Sequence, residues 1–403
     1  MNTSQVENEG PLSGFRIVDL SQVLSGPAAT MLLADQGAEV IKVESLHGDI
    51  TRKLGTGSGG MSTFFLNINR GKRAICVDIK TPEGGEVVRR LIKTGDVLIQ
   101  NFRPGVMEKL GLGYDDVRAI REDIVYVSIS GFGNNGPYAN KRVYDPVIQA
   151  LSGLTELQAD CDDPRPRMVR TVIPDKTTAL TAAQAITAAL LSRTRTGSGR
   201  HVEIAMLDAT IAYLWPEGMV NQTLVDDDRE IGFGQPIQEL IFKSLDGYIT
   251  TGAMSDQEWH GLCQALEKPE WVDDPRYKTT QLRFENVAER LAATAEILAT
   301  KTNEQWLERL DQFSVPCAPV LSRTEMLTHP QVVANDIIRQ YDHPGLGQVR
   351  QPRSAAKFHG LHSAEAPLAP MLGQHNAEVL LELGYTQAEI EQFRRTKVIG
   401  NQS

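Results

Sequence analysis

Between Phe15 and Ser130 the sequence alternates short apolar runs with helical periods, and no other feature restricts the fold as much. The runs Phe15–Leu20 (FRIVDL), Glu39–Glu44 (EVIKVE), residues 96–101 (DVLIQN) and Ile124–Ser130 (IVYVSIS) are rich in β-branched residues and read as strands. Between them, Pro27 opens the helical stretch AATMLLADQGA, which Gly37 closes. Thr81-Pro82-Glu83 opens a second helix that Gly95 ends, and Val106–Leu110 forms a short third one. Apolar strands joined through helices predict a parallel sheet covered on both faces, an α/β fold. Further on, Asp175 stands before a helical run rich in small residues, Lys176–Leu191, and the turn Arg195–Arg200 leads into the strand HVEIAML. The acidic stretch Val225–Glu230 reads as a linker. Beyond it, a strand at Leu245–Gly252 and helical periods at Ser255–Leu266 and Asn286–Thr300 predict a smaller α+β domain. Two amphipathic helices, Asn376–Leu383 and Gln387–Arg395, close the pattern.

Charge and cysteine usage then remove several function classes. A net charge of -10 argues against nucleic acid or an anionic membrane as partner. From Phe65 to Arg142, however, 13 Lys and Arg stand against 9 Asp and Glu, a basic segment suited to a small polyanion. Cys76, Cys161, Cys263 and Cys317 form no CxxC, which excludes a zinc ribbon or thioredoxin-type site and fits a reducing compartment. The polar N-terminal residues and the absence of a long apolar stretch lead us to expect a cytoplasmic protein with no membrane partner. His359 and His362 are the one close histidine pair, without the surrounding carboxylates of a metal site, so no metal is expected. Gly131-Phe-Gly133-Asn-Asn-Gly136 matches a dinucleotide fingerprint but runs into Pro137 with no helix to receive a pyrophosphate. Gly55–Gly60 follows no strand, and the loop SQVLSGP after the first strand has one glycine where a dinucleotide site has three. These glycines read as turns on a plain βαβ scaffold, and no tightly bound cofactor is expected.

A series of short motifs carries more. Pro11–Leu20, Ser25-Gly-Pro27, Leu33–Glu44, Asn69–Arg73, Asp78–Gly84, Asn101-Phe-Arg-Pro-Gly105, Gly131-Phe-Gly133, Tyr144-Asp145, Arg193–Gly199 and Leu372–Leu380 follow one another nearly from end to end. In order and spacing they resemble the class III CoA-transferases, the family of formyl-CoA transferase and carnitine CoA-transferase, which also includes the α-methylacyl-CoA racemases. The resemblance implies a Rossmann-like large domain with a parallel sheet, built from both termini (residues 1–220 and 330–403). It also implies a smaller inserted domain (221–329) and an interlocked homodimer that shares each active site. The family's nucleophile is an aspartate just ahead of a helix, and the matching position is Asp175; read without the family, Asp175 is an ordinary helix N-cap. A helix N-terminus keeps such a carboxylate ionised and oriented. Asp145, Gly232 and Gly234 join it as catalytic positions, the glycines belonging to a loop (Gly232-Phe-Gly234-Gln235-Pro236) that closes over the acyl-enzyme in relatives.

Along the path of CoA, the same matching implies Val23, Ser25, Lys80, Asn101, Phe102, Lys109, Arg142 and Tyr144. The cations suit phosphates, and Phe102 or Tyr144 suits the adenine. Ser45 departs from the arginine of formyl-CoA transferase, and Phe233 interrupts the glycine run. The racemases carry His-Asp where this chain has Tyr144-Asp145, and a tyrosine, with pKa ~10, does not titrate near neutrality. The expected function is transfer of CoA from an acyl-CoA to a small carboxylic acid through an aspartyl-CoA thioester. A racemase-like isomerase and a catalytically silent CoA-binding protein are the alternatives.

Overall fold

The structure, a computed structural model, describes residues 10–58, 61–159, 163–225, 240–359 and 368–400. The chain divides into two compact units, Met1–Leu214 with Asp336–Ser403, and Trp215–Asn335.

The first unit is built on six parallel strands: β1 (Arg16–Asp19), β2 (Glu39–Glu44), β3 (Lys72–Cys76), β4 (Val97–Gln100), β5 (Val125–Ser130) and β6 (His201–Ala205). Their order across the sheet is β3-β2-β1-β4-β5-β6, the doubly wound Rossmann arrangement. Neighbouring residues on a strand point to opposite faces, and both faces are covered. Val18, Ile41, Leu98 and Tyr126 enter one core, while Ile17, Val40, Val97, Ile99, Val125 and Val127 enter the other. Burial on both faces is what makes these strands legible as continuous apolar runs. β3 escapes that reading because its sequence KRAIC opens with two cations. Arg73 is held by Glu39 at 2.6 Å and Glu382 at 2.7 Å, and Lys72 is buried against Asp19 at 3.0 Å.

Seven helices cover the sheet or its loops, and an eighth begins in this unit and ends beyond its boundary at Leu214. They are α1 (Ser25–Ala34), α2 (Thr63–Asn69), α3 (Pro82–Thr94), α4 (Val106–Lys109), α5 (Tyr114–Ile120), α6 (Asp145–Leu151), α7 (Ile173–Thr196) and α8 (Met206–Gly218). The Thr81 hydroxyl caps α3 by accepting the Gly84 N–H at 3.1 Å, and Val87, Val88, Leu91 and Ile92 face the first core. α1 starts at Ser25, two residues before the proline expected to open it. α7 buries a stripe of small residues, Ala179, Ala182, Ala183 and Ala189, together with Ala29 and Leu33 of α1. Alanines there let the two helix backbones approach closely. The chain's last helices, Asn376–Glu382 and Gln387–Arg395, return to the first core through Val379, Leu380 and Ile390.

The second unit has three antiparallel strands, Ile241–Lys243, Tyr248–Thr251 and Cys317–Pro319. Its helices Asp256–Ala265, Val287–Leu298 and Asn303–Gln312 enclose a core centred on Trp259, Tyr277 and Trp306. The Trp306 indole donates to the Leu298 carbonyl at 2.7 Å. Among the described residues, no helix is long and apolar enough to cross a membrane.

Candidate active site

In a doubly wound sheet, ligand sites form where successive crossovers leave in opposite directions. Here that point lies between β1 and β4, which are neighbours although the chain first runs from β1 to β2. The loops leaving the two strands are tied together by one side chain. Asn101, directly after β4, accepts the Gln22 N–H at 2.8 Å and donates its amide to the Gln22 carbonyl at 2.7 Å.

The loop after β1 is unusually constrained. Val23 has a left-handed φ of 67°, a conformation that disfavours β-branched residues by roughly 1–2 kcal/mol. Its N–H donates to Asp49 at 3.2 Å. A Cβ on Gly26 would sit 2.3 Å from the Ser21 Cβ, so only glycine lets α1 start here. Beneath the loop, a fully buried ionic cluster fixes the strand ends. Lys72 Nζ contacts Asp19 at 3.0 Å and donates to the Pro27 carbonyl at 2.8 Å. Lys42 Nζ contacts Asp49 at 3.2 Å and donates to the Ser21 carbonyl at 2.9 Å.

The loop presents Ser25 to Asp175. Asp175 lies in the first turn of α7, not ahead of the helix as the sequence implies, because the helix begins at Ile173 with Pro174 in its first turn. Its side chain caps no helix, which removes the N-cap reading. The Ser25 hydroxyl donates to Asp175 Oδ1. The Asp175 backbone N–H donates to Asp145 Oδ2 at 3.2 Å. Asp145 is buried at the start of α6, where its other oxygen accepts from Gln149 at 2.6 Å. Gln149 in turn accepts the Val169 N–H at 3.0 Å and so anchors the chain that leads into α7. Burial pushes the Asp175 carboxyl above its ordinary 3.8; the Ser25 hydroxyl and N–H oppose that rise, and the nearby Asp145 charge adds to it. A half-buried carboxylate held this way is poorly solvated and has one oxygen already engaged.

An open cavity lies over these residues. Val23, Ser25, Asn101, Phe102, Tyr144, Asp145 and Asp175 all line it, from four separate segments of the chain. Lys80, Lys109 and Arg142 are exposed and are not part of its lining. Two cations that the motif matching did not assign, Arg103 and Lys141, do line it. Both lie beside motif residues, Arg103 inside NFRPG and Lys141 next to Arg142, so nearness to the motifs was the available signal. Lys141 Nζ stacks 3.8 Å from the Tyr138 ring centre. Gly232 and Gly234 lie outside the described residues, as does His362 of the histidine pair. Among the described residues, no group of three His, Cys, Asp or Glu is placed to hold a metal.

These features define an α/β protein with a Rossmann-ordered sheet and a serine-held carboxylate at its switch point. The chain matches the model of CoA-transferase family III over residues 12–376 and belongs to that family, whose members take CoA thioesters as substrates. It is 35% identical to succinyl-CoA:glutarate CoA-transferase of Mus musculus, over 98% of this chain and 92% of the relative. It is 31% identical to formyl-CoA:oxalate CoA-transferase of Escherichia coli O81 (strain ED1a), over 96% of this chain and 99% of the relative. Among solved structures, Rv3272 from M. tuberculosis superposes with a TM-score of 0.81 at 30% identity, covering 92% of this chain and 99% of that one. A CAIB/BAIF family protein from Brucella suis gives 0.80 at 32% identity, covering 93% and 100%. These relatives support a transferase.

Proposed function

We propose that the protein moves CoA from an acyl-CoA donor to a small carboxylic acid through a covalent thioester on Asp175. The observation that carries this is the placement of Asp175: a desolvated carboxylate at the switch-point crevice, held on one oxygen by Ser25. In the first step, its other oxygen attacks the donor's thioester carbonyl and CoA leaves as the thiolate, giving a mixed anhydride. The thiolate then attacks the aspartyl carbonyl and expels the donor's carboxylate, leaving an aspartyl-CoA thioester. The acceptor carboxylate runs the same steps in reverse.

CoA lies along Val23, Ser25, Asn101, Phe102 and Tyr144, with Arg103 and Lys141 in the cavity and Lys80, Lys109 and Arg142 outside it available to phosphates. Gly232 and Gly234 belong to a loop that closes over the acyl-enzyme. The relatives act, by name, on succinyl-, formyl- and acetyl-CoA with glutarate or oxalate, which supports short carboxylic acids as substrates. The protein works in the cytoplasm as an interlocked homodimer, and its large domain is formed by both ends of the chain.

The test is intact-protein mass spectrometry of wild type and Asp175→Ala. Each is mixed with succinyl-, acetyl-, formyl- or oxalyl-CoA and quenched with hydroxylamine or borohydride. A trapped product at Asp175 in the wild type, absent from the variant, is expected. No adduct with any donor, together with deuterium uptake at the α-carbon of a 2-methylacyl-CoA in D₂O, would overturn it in favour of isomerase chemistry.

A further inference from the structure

Ser25 is assigned by motif matching to the CoA path, yet its hydroxyl touches the nucleophile itself. The side chain is buried, 3% exposed, at the first residue of α1, and Asp175 Oδ1 accepts its proton. A hydroxyl has one proton to donate, so this bond distinguishes the two oxygens of the carboxylate. The surroundings keep the arrangement from rotating away. On one side, α1 is fixed by the tight Ser21–Gly26 approach and by the Asn101 tie to Gln22. On the other, the start of α7 is fixed by the bond from the Asp175 N–H to Asp145 and by the Asp145–Gln149 pair.

We infer that Ser25 is a catalytic residue that holds Asp175 Oδ1 through every turnover, leaving Oδ2 as the only oxygen that attacks. The inference rests on the aspartyl-thioester reading. Under it, Oδ2 bonds to the donor's acyl carbon as the C–S bond breaks and the thiolate takes the electron pair. When the thiolate adds to the aspartyl carbon, the C–Oδ2 bond breaks and Oδ2 departs within the donor's carboxylate. Oδ1 remains as the thioester carbonyl oxygen. The acceptor then adds through one of its own oxygens, the thiolate leaves, and the same thiolate displaces Asp175 from the acceptor's acyl carbon. Asp175 thus regains a carboxylate whose second oxygen came from the acceptor. In both additions to the aspartyl carbon, negative charge grows on Oδ1, where the Ser25 hydroxyl already points. That is the role of an oxyanion-hole donor.

The experiment counts labels. The enzyme turns over many times with an unlabelled donor and an acceptor carrying oxygen-18 at both carboxylate positions. The peptide containing Asp175 is then weighed. Wild type should carry one oxygen-18 at Asp175, because only Oδ2 exchanges; two labels would overturn the proposal, and this count depends on no variant folding. Ser25→Ala should carry two labels, with kcat lowered on the order of 10²-fold and donor KM within about twofold of wild type. Ser25→Ala with one label and wild-type kcat would also overturn it. Loss of the hydroxyl should in addition move the acidic limb of the kcat/KM profile to higher pH, since the bond favours the ionised carboxylate. Trapping of the CoA adduct in wild type is run alongside. Its absence would defeat the thioester reading itself, whereas an adduct with two labels would defeat only the role of Ser25.

Discussion

Asn101 shows how a motif residue can be present for a different reason from the one its family suggests. Both ends of its amide are engaged by the Gln22 backbone, so it ties the loop after β1 to the end of β4. Asn101→Ala leaves two part-buried backbone groups unpaired and should destabilise the fold by about 1–3 kcal/mol, measured as a lower urea midpoint. Asp145→Asn has a different signature. Asp145's charge helps to raise the Asp175 carboxyl, so removing it should shift the acidic limb of the kcat/KM profile to lower pH, opposite in sign to Ser25→Ala. At this scale the sequence is only partly legible. Motif matching names Asp175 and six of the residues that share its cavity, counting Asp145. It does not find the left-handed backbone of Val23, because a valine carries none of the conformational signal that glycine or asparagine would. Nor can it say which of several clustered cations faces the cavity.

The elements were easier to read than their ends. Strands buried on both faces give apolar runs, and four of the six strands of the main sheet follow from that pattern alone. The start of α7 is displaced from the expected one because an aspartate reads as a cap, while Pro174 signals a helix already under way. β3 is masked by the charges it brings into the interior. Those charges have a measurable consequence. Burial pushes the Asp19 carboxyl up, but Lys72, Lys42 and the Ser21 and Thr30 hydroxyls outweigh it and hold it at about 2. A carboxyl lowered in the folded state stabilises above its ordinary 3.8. The contribution of Asp19 should therefore be complete above about pH 4 and fade as pH falls towards 2, followed by urea midpoints across that window. Lys72→Met deprives the buried Asp19 anion of its directly paired cation and should cost about 3–5 kcal/mol at neutral pH.

At the scale of the molecule, charge is distributed against its own average. The chain carries -10 overall, yet Arg103 and Lys141 line the cavity within the basic segment. Attraction between that cavity and a polyanionic CoA weakens as salt shortens the Debye length to ~10 Å at 0.1 M. KM for the donor should therefore rise with ionic strength while kcat holds, and Lys141→Glu should raise KM at low salt and flatten that dependence. The strand order of the sheet could not be read from the run pattern, since β3 was hidden and sequence alone does not say on which side of β1 the chain returns. That return also has a kinetic side. The amide hydrogens of Gln22 and Asp175 are bonded to side chains from other loops, Asn101 and Asp145, instead of to a regular ladder. Their exchange with solvent deuterium can slow only while the loops after β1 and β4 and the starts of α6 and α7 are assembled together. Two backbone protons, read by hydrogen exchange without any substrate, therefore report whether the cavity around Asp175 is assembled.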